Sequence, residues 1–265
     1  MRHLVLALML CLSSPALACG PDSDCIVGDR SYRLYLPPTV QTGPVGALVF
    51  AHGYKGKASN AMDNAGLRQV ADDLGLALIA LQSDGDDWAV AHVPQAPDRT
   101  ESLEYGYVDA VLADAATRAT IDPARRIAAG FSAGGMMVWT LACGASDRFK
   151  GFVAVAGTFW APMPDACPTP AANLVHIHGT TDTMVPLEGR AIGETSQGDV
   201  AEALAMYAAH GGFAPQGAVA APGEMTCQIA RNPAGKLLDF CTFDGGHDFS
   251  TLRLRHALER ILAAP

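Results

Sequence analysis

Ile127-Ala-Ala-Gly-Phe-Ser-Ala-Gly-Gly-Met-Met137 is the stretch on which the fold turns. The run from Arg126 to Phe131 is strand-like in its first part and stops at a serine framed by small residues. From Ala133 onward the pattern becomes helical, with Met136, Met137, Thr140 and Leu141 spaced along one face. Strand, G-x-S-x-G and helix in that order is the context of a nucleophile elbow. So tight a turn leaves no room for side chains at Gly130 and Gly134. It would lift Ser132 Oγ clear of a sheet and aim the Ala133 N–H at the same reacting carbon.

Outward from that stretch, short apolar runs alternate with helical patterns. Strands are expected at Ser31–Leu36, Ala47–Ala51, Leu76–Leu81, Gly151–Ala156, Asn173–His178 and Lys236–Phe243. Helices are expected at Asn60–Leu74, Leu103–Thr117, Val200–His210 and Thr251–Leu262. The alternation predicts an α/β fold, a largely parallel sheet with helices on both faces. In such sheets ligands bind at the carboxyl ends of strands, where Ser132 lies.

The chain opens Met1-Arg-His, runs apolar from Leu4 to Leu12 and offers Ala16-Leu17-Ala18 for cleavage. Residues 1–18 therefore read as a signal peptide, too short in its apolar run for a membrane span. Ala16 stands where lipid attachment to Cys19 would want a large aliphatic residue, so a lipoprotein is not expected. Residues 19–265 are expected to form one catalytic domain. Of seven cysteines, Cys11 falls in the leader. The remaining Cys19, Cys25, Cys143, Cys167, Cys227 and Cys241 suit disulfides in an exported chain. Proximity along the chain favours pairing them in that order. A net charge of −9 argues against nucleic acid or an anionic membrane as partner. No C-x-x-C pair anchors zinc, and neither the His176/His178 pair nor Asp84-Gly-Asp-Asp87 completes a metal site. No metal or cofactor is expected.

A serine hydroxyl needs a base to take its proton and an acid to orient that base, in the order Ser, Asp or Glu, His for this fold class. Among the eight histidines, His247 in Asp244-Gly-Gly-His-Asp-Phe249 stands on a flexible loop after the last expected strand and is the base. Asp182, directly after a strand end in His178-Gly-Thr-Thr-Asp182, is the acid, with Glu188 in reserve. Asp244 and Asp248 are nearer in sequence, but adjacency does not aim a carboxylate at Nδ1. The oxyanion donors are expected to be the N–H groups of Ala133 and Tyr54, the latter in the His52-Gly53-Tyr54 loop. His52 reads as a structural hydrogen-bonding residue. Trp88 and Trp160 are candidate walls of a substrate pocket, packed core being the competing reading for each.

Taken together, the chain resembles the small secreted esterases of the single-domain polyhydroxybutyrate depolymerase type, relatives of feruloyl and acetylxylan esterases with the α/β-hydrolase fold. The resemblance rests on His52-Gly-Tyr54, Ile121-Asp-Pro-Ala-Arg-Arg-Ile127, Gly130-Phe-Ser-Ala-Gly-Gly-Met136, His178-Gly-Thr-Thr-Asp182 with Val185-Pro186, and Gly245-Gly-His247. It implies the same nucleophile, acid and base, and an acyl-enzyme route on hydroxyalkanoate esters. Members often carry a tryptophan soon after the Gly-Gly-His, where Asp248-Phe249 stand here, and polymer-degrading members usually bear a binding domain. A feruloyl or acetylxylan esterase is the alternative substrate reading. A serine peptidase and a hydrolase-like binding scaffold without turnover are the alternatives in other classes.

Overall fold

A computed structural model describes residues 19–38, 43–94 and 100–265. The expected leader and its cleavage site lie outside the described residues. The first half of the chain contributes β1 (Cys25–Val27), β2 (Arg30–Tyr35), β3 (Val45–Ala51), α1 (Ala58–Asp63), α2 (Ala65–Leu74), β4 (Leu76–Leu81), α3 (Ser102–Arg118), β5 (Ile121–Phe131) and α4 (Ala133–Gly144). The second half adds β6 (Gly151–Val155), β7 (Trp160–Ala161), β8 (Asn173–Gly179), β9 (Ala191–Ile192), β10 (Thr195–Gln197), α5 (Val200–Gly211), β11 (Ala214–Ala221), β12 (Met225–Arg231), β13 (Leu237–Phe243) and α6 (Thr251–Ala263).

Ten strands form one sheet in the order β1-β2-β4-β3-β5-β6-β8-β13-β12-β11. The central run from β4 to β13 is parallel, and the strands beyond it at each end pair antiparallel. Every residue of β3, β4, β6 and β8 is buried, as expected of strands covered on both faces; β3, β4 and β6 are apolar throughout, whereas β8 carries Asn173, His176 and His178. One face packs against α3, α4 and α5 through residues such as Val108, Val138 and Tyr207. The other packs against α1, α2 and α6 through Met62, Leu67 and Leu258. Residues 133–143 of α4 are all buried, so the helix that follows Ser132 is a core element.

Two expectations need correction. The helix read over residues 60–74 is two helices, because Asn64 leaves the helical region at ψ 98° and its side chain caps α2 by accepting the Leu67 N–H. The antiparallel edge β12–β11 was not expected. Almost all of β11 is exposed and built of small residues, so it carries no buried alternation to read.

The disulfides join Cys19 to Cys25, Cys143 to Cys167 and Cys227 to Cys241. Cys227 and Cys241 are directly opposed between β12 and β13. A small second sheet, β7-β10-β9, stands beyond the carboxyl end of β6. No helix among the described residues is long and apolar enough to cross a membrane.

Candidate active site

Ser132 sits between β5 and α4 with φ 58° and ψ −121°, a conformation an L-residue holds only under constraint. The constraint is visible in the surrounding backbone. The Ser132 N–H donates to Val155 O at 2.8 Å, and the Met136 N–H donates to Ser132 O at 3.0 Å. A Cβ on Gly130 would lie 2.2 Å from Gly134 O, and one on Gly134 would lie 2.0 Å from Ala51 O. Glycine is therefore required at both positions, although Gly134 is crowded by β3 and not by Gly130 itself.

Asp182 follows β8 and is buried. Its Oδ1 accepts the N–H groups of Met184 (2.8 Å) and Val185 (2.9 Å). His247 Nδ1 lies 2.7 Å from Asp182 Oδ2. An ionised carboxylate only accepts, so Nδ1 carries a proton and Nε2 is left as the free base. The two loops are stitched by backbone: the Thr180 N–H donates to Phe243 O and the Thr181 N–H to Gly245 O, each at 2.9 Å. Gly179 permits this approach, since a Cβ there would stand 2.3 Å from the carbonyl oxygens of Gly245 and Gly246.

His247 also packs against Phe131, the residue before Ser132, with 4.7 Å between ring centroids and 37° between the ring planes. No hydrogen bond joins Ser132 Oγ to His247 among the described residues; Phe131 is the contact that brings the imidazole to the elbow. Phe249 packs against both Phe131 (5.7 Å) and Phe50 (5.5 Å). It supplies the aromatic surface beside the base, which the sequence analysis missed in noting only that no tryptophan follows Gly-Gly-His. Of the other acids considered, Glu188 is exposed, and Asp248 is engaged by Arg253 at 2.8 Å.

Ala133 is the first residue of α4, so its N–H has no acceptor within the helix. The Tyr54 loop faces it: a Cβ on Gly53 would lie 3.3 Å from Ser132 Cβ. That loop is held from below by His52. Ser83 N–H donates to His52 Nε2 (3.3 Å), which places the ring proton on Nδ1, donating to Gly53 O (2.8 Å). Burial lowers the pKa of His52 and keeps it neutral. The Trp88 indole N–H donates to His52 O at 2.9 Å, and the indole is 1% exposed. Trp88 thus braces the loop, in keeping with the packed one of the two readings its sequence left open.

Trp160 does line a cavity. With Met136, Tyr105, Phe159 and Met163 it walls a space of about 610 Å³ running along α4 from one turn beyond Ser132. A second space of about 260 Å³ is bounded by His52, Gly53, Tyr54, Phe131 and Phe249. Among the described residues no cluster of three metal-binding side chains occurs.

Residues 104–202 match the phospholipase/carboxylesterase family. The feruloyl esterase module from Clostridium thermocellum, solved as a mutant with sinapinate, superposes with a TM-score of 0.62 at 13% identity, covering 91% of this chain and 89% of that one. The chain has the α/β-hydrolase fold. Two curated relatives of this α/β-hydrolase are esterases by name. "Putative esterase NocK" of Nocardia uniformis subsp. tsuyamanensis is 32% identical over 163 residues, 60% of this chain and 47% of that protein. "Probable feruloyl esterase C" of Aspergillus flavus is 26% identical over 258 residues, 94% of this chain and 86% of that protein. The chain thus spans about half the length of the first relative and most of the second.

Proposed function

We propose that the protein is an exported serine esterase that works through an acyl-enzyme. The observation that carries this reading is the 2.7 Å bond from His247 to a buried Asp182, beside a serine held at φ 58°. In the proposed reaction Ser132 Oγ attacks the ester carbonyl while His247 Nε2 takes its proton. The oxyanion is held by the Ala133 and Tyr54 N–H groups. His247 then protonates the departing alcohol, and a water molecule, deprotonated by the same nitrogen, releases the acid. Three disulfides favour an oxidising compartment and agree with an exported chain.

The feruloyl esterases to which the chain is similar favour a feruloyl type of ester over the hydroxyalkanoate oligomers expected from the sequence. Two spaces that reach the elbow, one at Met136 and one at Phe131, support that preference. A cavity of about 610 Å³ walled by Tyr105, Phe159 and Trp160 is large enough for an aromatic acyl group. The smaller space would then take the alcohol side.

The test is hydrolysis of methyl ferulate, acetylated xylan, hydroxybutyrate oligomers and short nitrophenyl esters by the wild type and Ser132→Ala. Ser132→Ala should lose at least about a thousandfold in kcat while remaining folded. Retained turnover in that variant would remove the serine mechanism. Trp160→Ala should raise KM for methyl ferulate far more than for nitrophenyl acetate. Equal effects on both would remove the aromatic pocket.

A further inference from the structure

Behind Asp182 lies a buried chain of polar groups that the reaction above does not use. The Trp139 indole N–H, on α4, donates to His176 Nδ1 at 3.0 Å. His176 Nε2 lies 2.9 Å from His178 Nδ1, and His178 Nε2 lies 2.7 Å from Val185 O. His178 Nε2 is also 3.5 Å from Asp182 Oδ2. Trp139, His176 and His178 have no solvent exposure. The two imidazoles stack at 5.1 Å with 19° between their planes.

The direction of this chain is fixed by chemistry. An indole N–H can only donate, so His176 Nδ1 must be bare. The one proton of neutral His176 is then on Nε2, which makes His178 Nδ1 an acceptor in turn. That leaves the His178 proton on Nε2, pointing at the Val185 carbonyl and the Asp182 carboxylate. A second proton on either ring would face another hydrogen head-on. Burial, reinforced by the neighbouring imidazole, pushes His176 well below the usual histidine range, and burial lowers His178 as well.

We propose that Trp139, His176 and His178 form a one-way hydrogen-bond relay that positions Asp182 by holding His178 as a permanent Nε2–H donor against the 182–185 turn. The proposal deepens the esterase reading and rests on it. The tie to Val185 O matters because the Met184 and Val185 N–H groups of the same turn grip Asp182 Oδ1. Reversing the relay would put a lone pair of His178 Nε2 against a carbonyl oxygen and a carboxylate. The turn would then open, and Asp182 Oδ2 would leave its line with His247 Nδ1. The titratable groups facing the relay are Asp182 and His247 at the His178 end, and Tyr207, whose ring stands edge-on to Trp139 at 5.7 Å. The ring of Phe240 closes the side of His176. His178 and His176 are positioning residues, remote from the reacting carbonyl.

The test combines histidine ring ¹⁵N spectra of the full chain with kinetics of Trp139→Phe, His178→Gln and His178→Phe. In the wild type both rings should remain neutral Nε2–H tautomers from about pH 5 to pH 8. Trp139→Phe frees His176 Nδ1, so the two rings should become a tautomer mixture and kcat should fall several-fold with KM unchanged. His178→Phe, without a donor, should lose roughly ten- to a hundredfold in kcat, the cost of one buried hydrogen bond. His178→Gln, whose amide nitrogen reaches the Nε2 position, should recover most of that. Protonation of either ring in the wild type within that range, or an Nδ1–H tautomer, overturns the relay. So does a tautomer mixture in Trp139→Phe with unchanged kcat, which also covers the case in which His178→Phe fails to fold. The spectra need no turnover, so a failure of the esterase reading, seen as retained activity in Ser132→Ala, is distinguishable from a failure of the relay.

Discussion

At the scale of single residues, the site depends on one hydrogen bond that fixes the place of one proton. Asp182 fixes the His247 proton on Nδ1, so Asp182→Asn should leave the fold intact while presenting the imidazole in the wrong tautomer. Its kcat should drop by about three to four orders of magnitude at neutral pH, read by steady-state hydrolysis of a nitrophenyl ester. The placement of Ser132, Asp182 and His247 after strand ends was legible because apolar runs and the glycines that follow them are written in the sequence. Trp88 was not legible as a brace: its contact with the His52 carbonyl spans 36 residues, and nothing local distinguishes a buried indole from a pocket wall. Trp88→Phe keeps most of the ring and deletes the donor. It should lower kcat by roughly tenfold with little change in KM, as expected when an oxyanion donor loses its alignment. A wild-type kcat in Trp88→Phe, with a loss only in Trp88→Ala, would assign the residue to packing instead.

At the scale of elements, β2 and α3 are joined by an ion pair that composition alone does not disclose. Arg30 Nη1 donates to Glu104 Oε2 at 2.8 Å, and the Glu104 side chain has no exposure. Glu104 Oε1 accepts the Ala89 N–H at 2.8 Å, so the same carboxylate also holds the Trp88 loop. The Arg30 guanidinium lies 3.5 Å from the Tyr107 ring centroid, which adds a cation–π contact. Breaking one side of a buried pair leaves an uncompensated charge. Glu104→Ala should therefore cost about 3–5 kcal/mol, a fall in Tm of about 10 °C for a chain of this size. Calorimetry checks this, and a change below about 1 kcal/mol would mean that water reaches Arg30 in the variant. Elements with a strong apolar run were legible, and α3 and the parallel strands lie close to their expected bounds, except that β5 begins at Ile121 and not at Arg126. β11 was not, because Ala214–Ala221 is stabilised by pairing with β12 and not by burial of its own side chains.

At the scale of the whole molecule, the sheet and the order of its site loops follow from the alternation of runs, whereas the response to pH follows from burial that only the assembled fold creates. His52, His176 and His178 all have pKa values lowered below 6.5, with burial as the leading cause. Each is neutral when folded and free to take a proton when unfolded. Their contribution is therefore complete above about pH 6.5 and is lost as pH falls through the folded values. Asp87 acts in the opposite sense. Burial raises it from 3.8 to about 6, so the unfolded chain gives up this proton first and stability declines as pH rises between those values. Three histidines outweigh one aspartate over their shared range, at up to about 1.4 kcal/mol per pH unit for each group. Unfolding free energy, measured by urea titration between pH 4 and pH 8, should be greatest near neutrality and fall on acidification. Asp87→Asn retains an oxygen for the Trp88 N–H, which Asp87 Oδ1 accepts at 2.8 Å in the wild type. That variant should gain about 1–3 kcal/mol at pH 7 and nothing at pH 4, because only at the higher pH does the wild type hold a half-buried charge there. An equal gain at both pH values would assign the effect to packing, and no gain at pH 7 would mean that Asp87 is solvated well enough to ionise freely.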